Sequence, residues 1–287
     1  MIDKNKNFSQ KFIELAKKRG SFCLGIDPTE ELIKDWGLNF NLDGLKRMCK
    51  IIIEAADDNL AIVKPQSAYF ERFGPEGMAV LQGLVKEFHQ KGSLVLLDAK
   101  KADIGPTTLS YAKAYLGPES PYNFDAITAT AYMGFEALLP MLEYAKEQNC
   151  AVFIVVQSSN IEGSLIQQAL IAKHPKTEVS IASYLSQKIN DFNQQHNQIM
   201  GPIGAVMGAT LEFEQIKTTI PNLNNCLILT PGIGYQGASF EDLRKNYQPV
   251  LKNLIPSSSR AILAKGPNIM ALKQEIIKNC QESIKNY

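Results

Sequence analysis

Four charged side chains crowd the stretch 96–107, LLDAKKADIGPT, in which Asp98, Lys100, Lys101 and Asp103 follow a run of leucines. The apolar run predicts a buried strand, and charges at the end of a buried strand are costly unless they pair with one another or carry out chemistry. Because Asp98 and Lys100 are two residues apart, an extended backbone points both to the same side of the strand. We assign Lys101 to the surface, whereas the direction of Asp103, beyond the turn, does not follow from the spacing. The cluster is therefore either a structural network of ion pairs or part of a catalytic site.

A second group of residues has the chemistry of a phosphate site. The stretch 231–237, PGIGYQG, contains Gly232, Gly234 and Gly237, and glycines let backbone N–H groups approach an anion closely. By itself such a stretch marks any turn. Together with Arg260, whose guanidinium binds phosphate in a bidentate fork, it predicts a phosphate site. The alternative is that Arg260 is an ordinary surface arginine.

Eight short apolar runs, each with a loop and a longer amphipathic stretch after it, position these residues. The runs are nearly all apolar rather than alternating, which is typical of strands buried on both faces of a parallel sheet. Eight repeats of strand and helix without a low-complexity linker predict one domain over 1–287, with the α/β fold of a single (β/α)8 TIM barrel. A doubly wound open sheet is the alternative, but no GxGxxG turn follows the first run. The runs are 21–27, 60–64, 93–98, 124–130, 151–157, 203–210, 226–232 and 261–264.

The barrel prediction has a consequence for the polar residues. Catalytic groups of such barrels lie at the C-terminal ends of the strands, and the loops after strands seven and eight bind phosphate. Here the first run ends in Asp27, the second in Lys64 and the third in Asp98, while Arg260 comes directly before the eighth. Two plainer interpretations stay open: Asp27, before Pro28, caps a helix, and Lys64 is a solvated lysine at a strand end.

The charge and the hydropathy pattern limit the partners and the location. The formal net charge is +1, so no overall field favours nucleic acid or an anionic membrane. The polar and then amphipathic N-terminus lacks the apolar core of a signal peptide, and no window approaches the roughly 20 apolar residues of a membrane span. We therefore expect a soluble, cytoplasmic protein that binds neither nucleic acid nor membrane.

The cysteines and histidines give no sign of a metal site. The cysteines are odd in number and scattered, with no CxxC pair, which argues against a disulfide framework or a zinc knuckle and fits a reducing cytosol. His89, His174 and His196 are isolated in polar, helix-like stretches, and we expect them at the surface. We therefore expect neither a metal nor a cofactor. The five cysteines are Cys23, Cys49, Cys150, Cys226 and Cys280.

The ordered set of motifs resembles the orotidine 5'-phosphate decarboxylase family, in particular its longer bacterial branch. The signature DxKxxDI is similar to LLDAKKADIGPT, although sugar-phosphate synthases of the same superfamily share DxK. The resemblance covers nearly the whole chain and implies a cofactor-independent decarboxylation of orotidine 5'-phosphate to UMP and CO2, in de novo pyrimidine synthesis, by a homodimer with shared active sites. The motifs in family order are LGIDPT, IVKPQSAYFERFGPEG, LLDAKKADIGPTT, VQSSN, GAVMGAT, LTPGIGYQG and SSSRAILA.

The resemblance implies the catalytic residues. Lys64, Asp98, Lys100 and Asp103 match the alternating Lys-Asp-Lys-Asp network of the family. Lys100 matches the lysine that protonates C6, and Asp98 the carboxylate near the departing CO2. Asp103 matches the aspartate that crosses a dimer interface, so we expect it to serve the partner's site, with Thr107 as a further contribution.

The resemblance also implies the residues that bind substrate. Asp27 and Lys64 match groups that hydrogen-bond the ribose hydroxyls. Gln236 and Arg260 match the phosphate-binding pair, with Gly234 as an additional donor by similarity of the loop. Ser159, or its neighbour Ser158, matches the serine that reads the pyrimidine amide.

Two other functions remain as alternatives. A metal-dependent sugar-phosphate aldolase or epimerase would use a divalent cation on Asp98 and Asp27 to stabilise an enediolate, but no glutamate stands at a predicted strand end. A non-catalytic sensor of phosphate ligands would explain Arg260 and the glycines, but it leaves the four-charge set without a purpose. The segment 28–58 either covers the barrel floor or shapes a dimer.

Overall fold

Eight parallel strands form one closed barrel in chain order in a computed structural model that describes residues 6–172, 178–195 and 200–285. This confirms the predicted (β/α)8 TIM barrel. Two of the three histidines, His174 and His196, lie outside the described residues. The strands are β1 (Cys23–Ile26), β2 (Ile62–Pro65), β3 (Leu94–Lys101), β4 (Ala126–Ala129), β5 (Ala151–Gln157), β6 (Ile203–Met207), β7 (Ile228–Pro231) and β8 (Leu254–Ser258).

Helices surround the barrel, and polar side chains fix several of their ends. Asn7 and Gln10 form a reciprocal capping box at the start of the first helix, and the Asn41 side chain caps the third. In the part of the chain that the structure describes, the connections also contain three 3₁₀ segments, Glu136–Leu138, Ile220–Leu223 and Gln248–Asn253. The helices are α1 (Phe8–Arg19), α2 (Glu30–Asp35), α3 (Leu42–Ala56), α4 (Ser67–Glu71), α5 (Gly74–Gln90), α6 (Gly105–Tyr115), α7 (Leu139–Glu147), α8 (Ile161–Gln167), α9 (Ile181–Gln195), α10 (Phe213–Ile216), α11 (Phe240–Asn246), α12 (Arg260–Leu263) and α13 (Ile269–Ile284). None of these helices is long and apolar enough to cross a lipid bilayer.

The interior of the barrel is filled from below by apolar side chains and closed by α1. Successive residues of a strand point to opposite faces, so Ile62 and Leu96 point inward while Val63 and Leu97 pack against the helices. Phe8 of α1 packs with the inward residues, and its ring meets that of Phe153 edge-on at 5.7 Å. The barrel floor is therefore a dry, packed layer.

The segment 28–58 does not cover that floor. It forms α2 and α3 after β1. The buried residues of α3, including Met48 and Ile52, belong to the outer core with residues of α5 and α13 such as Leu81 and Leu272. The helix α3 is thus the regular outer helix between β1 and β2, whereas α1 closes the floor.

The predicted eighth strand was wrong. Residues 261–264 belong to the turn of helix that begins at Arg260, and β8 is Leu254–Ser258. A four-residue apolar run does not distinguish a strand from a helix, and the true strand is partly hidden because it contains Pro256 and two serines. The correction moves Arg260 from before the eighth strand to directly after it.

Two expectations about surface residues were also wrong. The ring of His89 is half-buried and lies 2.9 Å from a carboxylate oxygen of Asp125. Lys101 is half-buried as well, since its ammonium group lies 5.2 Å from the ring centre of Tyr111 and 5.7 Å from that of Tyr115. Both side chains pack between elements instead of facing solvent. Amphipathic residues at helix and strand ends often do this, and residue type alone does not reveal it.

Candidate active site

The top inward positions of the strands carry polar side chains in place of the apolar ones below. Lys64 follows Ile62 by two residues on β2, and Asp98 follows Leu96 by two on β3. The same alternation places Thr128 at the top of β4. The polar residues therefore meet at the C-terminal mouth of the barrel, the end at which such barrels carry their active sites.

Asp98 is the centre of a buried charge network. One carboxylate oxygen, Oδ2, accepts a hydrogen bond from the ammonium group of Lys64 at 2.9 Å, and the other, Oδ1, accepts one from Lys100 at 2.6 Å. Lys64 and Asp98 are both buried, whereas about half of the Lys100 side chain remains exposed (48%). The ammonium group of Lys100 is therefore held by Asp98 and still accessible to a ligand in the mouth.

The network stays charged because its members compensate one another. Burial by itself raises the pKa of Asp98, but the ammonium groups of Lys64 and Lys100 outweigh it and hold that pKa well below its usual range. Burial lowers the pKa of Lys64, and the carboxylates of Asp98 and Asp27 outweigh this and raise it. The mouth therefore contains a fixed alternation of positive and negative charge at neutral pH.

Lys100 reaches the mouth through an unusual backbone conformation. Its φ is +46°, in the left-handed region that side chains other than glycine rarely adopt. The pairing of β3 with β4 shifts between Leu97 and Lys101, which marks a bulge. The extended backbone expected at Lys100 is thus absent, although its side chain does lie on the same side as that of Asp98.

Asp27 lies at the top of β1 with one oxygen unused. Ser259, just beyond β8, donates a hydrogen bond to Asp27 Oδ2. Asp27 Oδ1 is buried and has no hydrogen-bond partner among the described residues. The helix cap expected as one interpretation of Asp27 is supplied by Thr29, which accepts the N–H of Leu32. Asp27 is therefore free to accept hydrogen bonds from a hydroxylated ligand.

The loop after β7 and the start of α12 form the predicted phosphate-binding corner. Gly232 and Gly234 have φ of +123° and +79°, conformations that favour glycine. A Cβ added at Gly234 would lie only 2.8 Å from the Cβ of Ala261. The guanidinium of Arg260 is exposed and stacks 4.2 Å from the ring centre of Tyr235. An exposed cation beside a tight glycine loop is a suitable environment for an anion.

A hydrogen bond links this corner to the end of β5. The hydroxyl of Ser159 donates to Gln236 Oε1 at 2.8 Å. Ser158 instead bonds within its own segment, to Asn160 at 2.6 Å and to Gln167 at 2.9 Å. Of the two serines, Ser159 is therefore the one that contacts the predicted phosphate-binding loop.

Asp103 and Thr107 are not brought into the mouth of their own chain. The carboxylate of Asp103 accepts the N–H of Ile104 at 2.8 Å. Thr107 is exposed in the first turn of α6. Neither residue forms a contact with Lys64, Asp98 or Lys100 among the hydrogen bonds and ion pairs of the described chain.

In the described part of the chain, no three His, Cys, Asp or Glu side chains are grouped so that they could hold a metal ion. Both oxygens of Asp98 are bonded to the two lysines, whereas Ser259 binds only one oxygen of Asp27.

Comparisons with known proteins agree with this geometry. The model of the orotidine 5'-phosphate decarboxylase / HUMPS family matches residues 20–274. The chain belongs to this family. The orotidine 5'-phosphate decarboxylase of Myxococcus xanthus is 43% identical over 270 residues, covering 94% of this chain and 92% of its own. That of Salinispora tropica is 39% identical over 282 residues, covering 97% and 99%.

The solved structures give the same result for the fold. The crystal structure of a putative orotidine 5'-phosphate decarboxylase from Streptomyces avermitilis has a TM-score of 0.89 and 35% identity, and the match covers 98% of this chain and 95% of that one. A putative orotidine-monophosphate-decarboxylase from Toxoplasma gondii has a TM-score of 0.81 and 26% identity, and covers 98% of both chains. The family membership and the barrel are therefore supported over almost the full length.

The sequence-based prediction did not identify two residues that contact the site, Thr128 and Ser259. Thr128 donates a hydrogen bond to Asp98 Oδ1 at 2.9 Å, and Ser259 holds Asp27. The sequence did contain a sign of Thr128, because the alternation of residues in the fourth apolar run points its side chain inward, beside the end of the third run at Asp98. Ser259 was hidden by the wrong position of the eighth strand.

Proposed function

We propose that the protein is an orotidine 5'-phosphate decarboxylase that forms UMP and CO2 without a cofactor, in pyrimidine biosynthesis. The observation that carries the proposal is the network of Lys64, Asp98 and Lys100 at the barrel mouth. It lies at the same barrel end as the anion-binding corner around Arg260. Membership of the family supports the reaction and the substrate.

The chemistry requires an unusual form of catalysis. When the bond between C6 and the carboxylate carbon breaks, CO2 leaves and the electron pair stays on C6, in the plane of the ring. The ring does not delocalise this pair as an enolate would. Charged groups fixed in advance around the reacting carbon stabilise such an anion, because they need no reorganisation as the charge develops.

In this proposal Lys100 supplies both the charge and the proton. Its ammonium group stabilises the electron pair at C6 and then transfers one proton to that carbon, which leaves a neutral amine that regains a proton from solvent. Asp98 keeps Lys100 positioned and charged through the 2.6 Å contact. The carboxylate of Asp98 also lies near the carboxylate of the substrate and disfavours the ground state more than the transition state.

The rest of the substrate is bound at the surrounding strand ends. Asp27, through its unpaired Oδ1, and Lys64 bind the ribose hydroxyls, and Ser159 reads the pyrimidine amide. Arg260 and Gln236, with the backbone of Gly234, bind the phosphate. Binding energy from this remote group is available for closing the loops and crowding charge at the reacting carbon.

The proposal includes a homodimer in which each site takes residues from both chains. Within the described part of one chain, Asp98 is the one carboxylate that pairs directly with Lys100, and Lys100 remains about half exposed (48%) with room for a second negative partner. Asp103 has its carboxylate at the turn after β3, and among the described residues its hydrogen bond is to the N–H of Ile104 in its own loop. We assign Asp103 and Thr107 to the mouth of the partner subunit, where Asp103 completes the alternation.

The proposal also assigns the enzyme to the cytoplasm. All five cysteines are free and buried, and burial raises the pKa of Cys23 and Cys49 to about 12. Thiols of this kind are suited to a reducing compartment. Cell fractionation with an antibody against the protein tests the assignment, and recovery outside the cytoplasmic fraction would contradict it.

The decisive experiment measures the loss of absorbance of orotidine 5'-phosphate by wild type and by Lys100→Ala, each with and without EDTA. Wild type should turn over in both conditions. Lys100→Ala should lose turnover by roughly 1,000-fold or more, since both the charge and the proton donor are removed. An inactive wild type excludes the decarboxylase, and an activity abolished by EDTA and restored by a divalent cation excludes cofactor independence.

Mixing two inactive variants tests the shared sites. If Asp103 serves the partner, a heterodimer of Lys100→Ala with Asp103→Ala has one site with both substitutions and one native site. An equimolar mixture that exchanges subunits should then recover about one quarter of the wild-type activity. No recovery, with dimer exchange verified by mass spectrometry, would remove Asp103 from the partner's site.

A further inference from the structure

At the bulge near the end of β3, two backbone N–H groups donate to a side chain of β4 instead of to its backbone carbonyls. Leu97 pairs with Ile127 and Lys101 with Ala129, so three residues of β3 lie opposite Thr128 alone. The N–H groups of Ala99 and Lys100 both donate to Thr128 Oγ1, at 3.0 and 2.9 Å. The side chain of Thr128 thus replaces backbone acceptors at the bulge.

The hydrogen-bonding capacity of the hydroxyl fixes the direction of its own proton. A threonine hydroxyl has one proton and two acceptor sites. Both acceptor sites of Thr128 are used by the two amides, and the oxygen lies 2.9 Å from Asp98 Oδ1. The proton is therefore directed at Asp98. Thr128 is almost fully buried, with 1% of its surface exposed, so water does not compete for these bonds.

We propose that Thr128 is a positioning residue for the decarboxylation. Its hydroxyl holds the bulge in which Lys100 has φ of +46°, and it fixes the rotation of the Asp98 carboxylate that orients the Lys100 ammonium group. Thr128 itself does not need to contact substrate. The inference rests on the proposed function, because it concerns how that reaction's charged groups are aligned.

The effect of losing this hydroxyl should appear in turnover. Without it, Asp98 keeps its two lysine partners but loses the donor that defines its plane, and the amides of the bulge lose their acceptor. A displacement of about 1 Å at a reacting group costs on the order of 100-fold in rate. Substrate affinity depends mainly on the ribose and phosphate groups, which Thr128 does not touch, and so it should change little.

The test compares Thr128→Val, which keeps the shape without the hydroxyl, with Thr128→Ser, which keeps the hydroxyl. The kcat of Thr128→Val should fall by about 10- to 100-fold, with KM and the affinity for UMP within about threefold of wild type. Thr128→Ser should retain kcat within about threefold. Thr230→Val is the matched control, because Thr230 is a fully buried strand threonine whose hydroxyl has no partner in the described chain. It should leave kcat unchanged.

Each other outcome contradicts something specific. A Thr128→Val enzyme with kcat within about twofold of wild type overturns the positioning role, as does a Ser variant impaired as severely as the Val variant. Should Thr128→Val not fold, Thr128→Cys, whose thiol forms only weak hydrogen bonds, takes its place, and kcat equal to that of the Ser variant overturns the role. An inactive wild type would instead refute the proposed function.

Discussion

The two ends of the barrel interior are built on the same strands and have opposite chemistry. At the floor, the inward side chains of β2 and β3 are Ile62 and Leu96, covered by the rings of α1. Two residues further along the same strands, the inward side chains are Lys64 and Asp98. Two residues along each strand therefore separate a dry apolar layer from a buried ion pair.

The difference shows what each end contributes. Burial of the floor residues removes apolar surface from water, and each large side chain stabilises the fold by about 1.5–3 kcal/mol. Removing the charges of Lys64 and Asp98 from water costs free energy, and their mutual attraction does no more than offset this cost. The apolar layer excludes water from the side of Lys64 and Asp98 that faces the floor. Because less water screens them, the electrostatic interaction between these two groups is stronger. The floor thus stabilises the fold, and this stability offsets the free-energy cost of burying the charges that we propose for catalysis.

The largest effect on stability and turnover together is expected from a substitution of Asp98, which tests the contrast between the charged mouth and the apolar floor. Asp98→Asn leaves the buried ammonium group of Lys64 without its counter-charge, which should cost about 3–5 kcal/mol of unfolding free energy. The folded pKa of Asp98 is lowered, so this contribution is present above the unfolded pKa of about 3.9 and is lost only as the pH falls toward the folded value. At neutral pH, urea unfolding should detect the full loss, and kcat should fall on the order of 100- to 1,000-fold.

A double variant separates charge from packing at the same site. Lys64→Met with Asp98→Leu replaces the pair by apolar groups and should recover most of the stability of wild type without any activity. A double variant less stable than Asp98→Asn would mean that the pair stabilises the mouth more than an apolar layer does, and the contrast between the two ends would fail.

The matching test at the floor is Phe12→Ala. Phe12 is fully buried and stacks with Phe8 at a ring-centre distance of 6.5 Å. Its removal should cost about 3–5 kcal/mol of unfolding free energy, while kcat/KM at a temperature where the variant is folded stays within about twofold of wild type. Phe213→Ala, at an exposed phenylalanine, should change stability by less than about 1 kcal/mol. A folded Phe12→Ala enzyme with strongly reduced kcat would show that the floor also aligns the mouth.

Arg260→Ala should have a smaller effect, confined to the mouth. Because Arg260 is exposed, its loss should leave the melting temperature nearly unchanged. Its absence from the phosphate site should lower kcat/KM by on the order of 100-fold, with part of the loss in kcat. Arg47, exposed on α3 outside the barrel, supplies the control variant Arg47→Ala. Equal kcat/KM for both variants would return Arg260 to the role of a surface arginine.

The position of Arg260 illustrates what the sequence revealed about the fold. Seven of the eight predicted strands coincide with observed ones to within a few residues at each end, because their apolar runs are long or rich in β-branched residues. The eighth predicted strand was wrong, because residues 261–264 belong to a single turn of helix and the strand lies just before it. The true strand contains Pro256 and ends in two buried serines, of which Ser258 donates a hydrogen bond to the carbonyl of Ile233. A proline and two serines among five residues hide the apolar pattern that predicts a strand.

The site was predictable where residue type and strand position coincide, as at Lys64 and Asp98. The conformation of Lys100 was not predictable, because its positive φ depends on a bulge that Thr128 of the next strand stabilises. The pairing of Ser159 with Gln236 likewise joins loops 77 positions apart. Contacts of this kind depend on the closed barrel and leave no local pattern.

The smallest expected effect concerns an ion pair at the floor end, between His89 of α5 and Asp125 just before β4. Burial lowers the pKa of His89, but the hydrogen bond and charge of Asp125 outweigh it and raise that pKa. Since the folded pKa lies above the unfolded value of about 6.5, the pair stabilises the fold fully below that pH and loses its contribution as the pH rises through the folded pKa.

His89→Gln should therefore lower the melting temperature by a few degrees at about pH 6, corresponding to about 1 kcal/mol. At about pH 8.5 the difference from wild type should be smaller. The positive charge of Lys11, which opposes protonation of His89, gives the matched variant: Lys11→Gln should extend the stabilisation to higher pH. An equal difference between wild type and His89→Gln at both pH values would make this contact a neutral hydrogen bond. The floor would then be free of pH-dependent charge, and the contrast with the mouth would be sharper than the structure suggests.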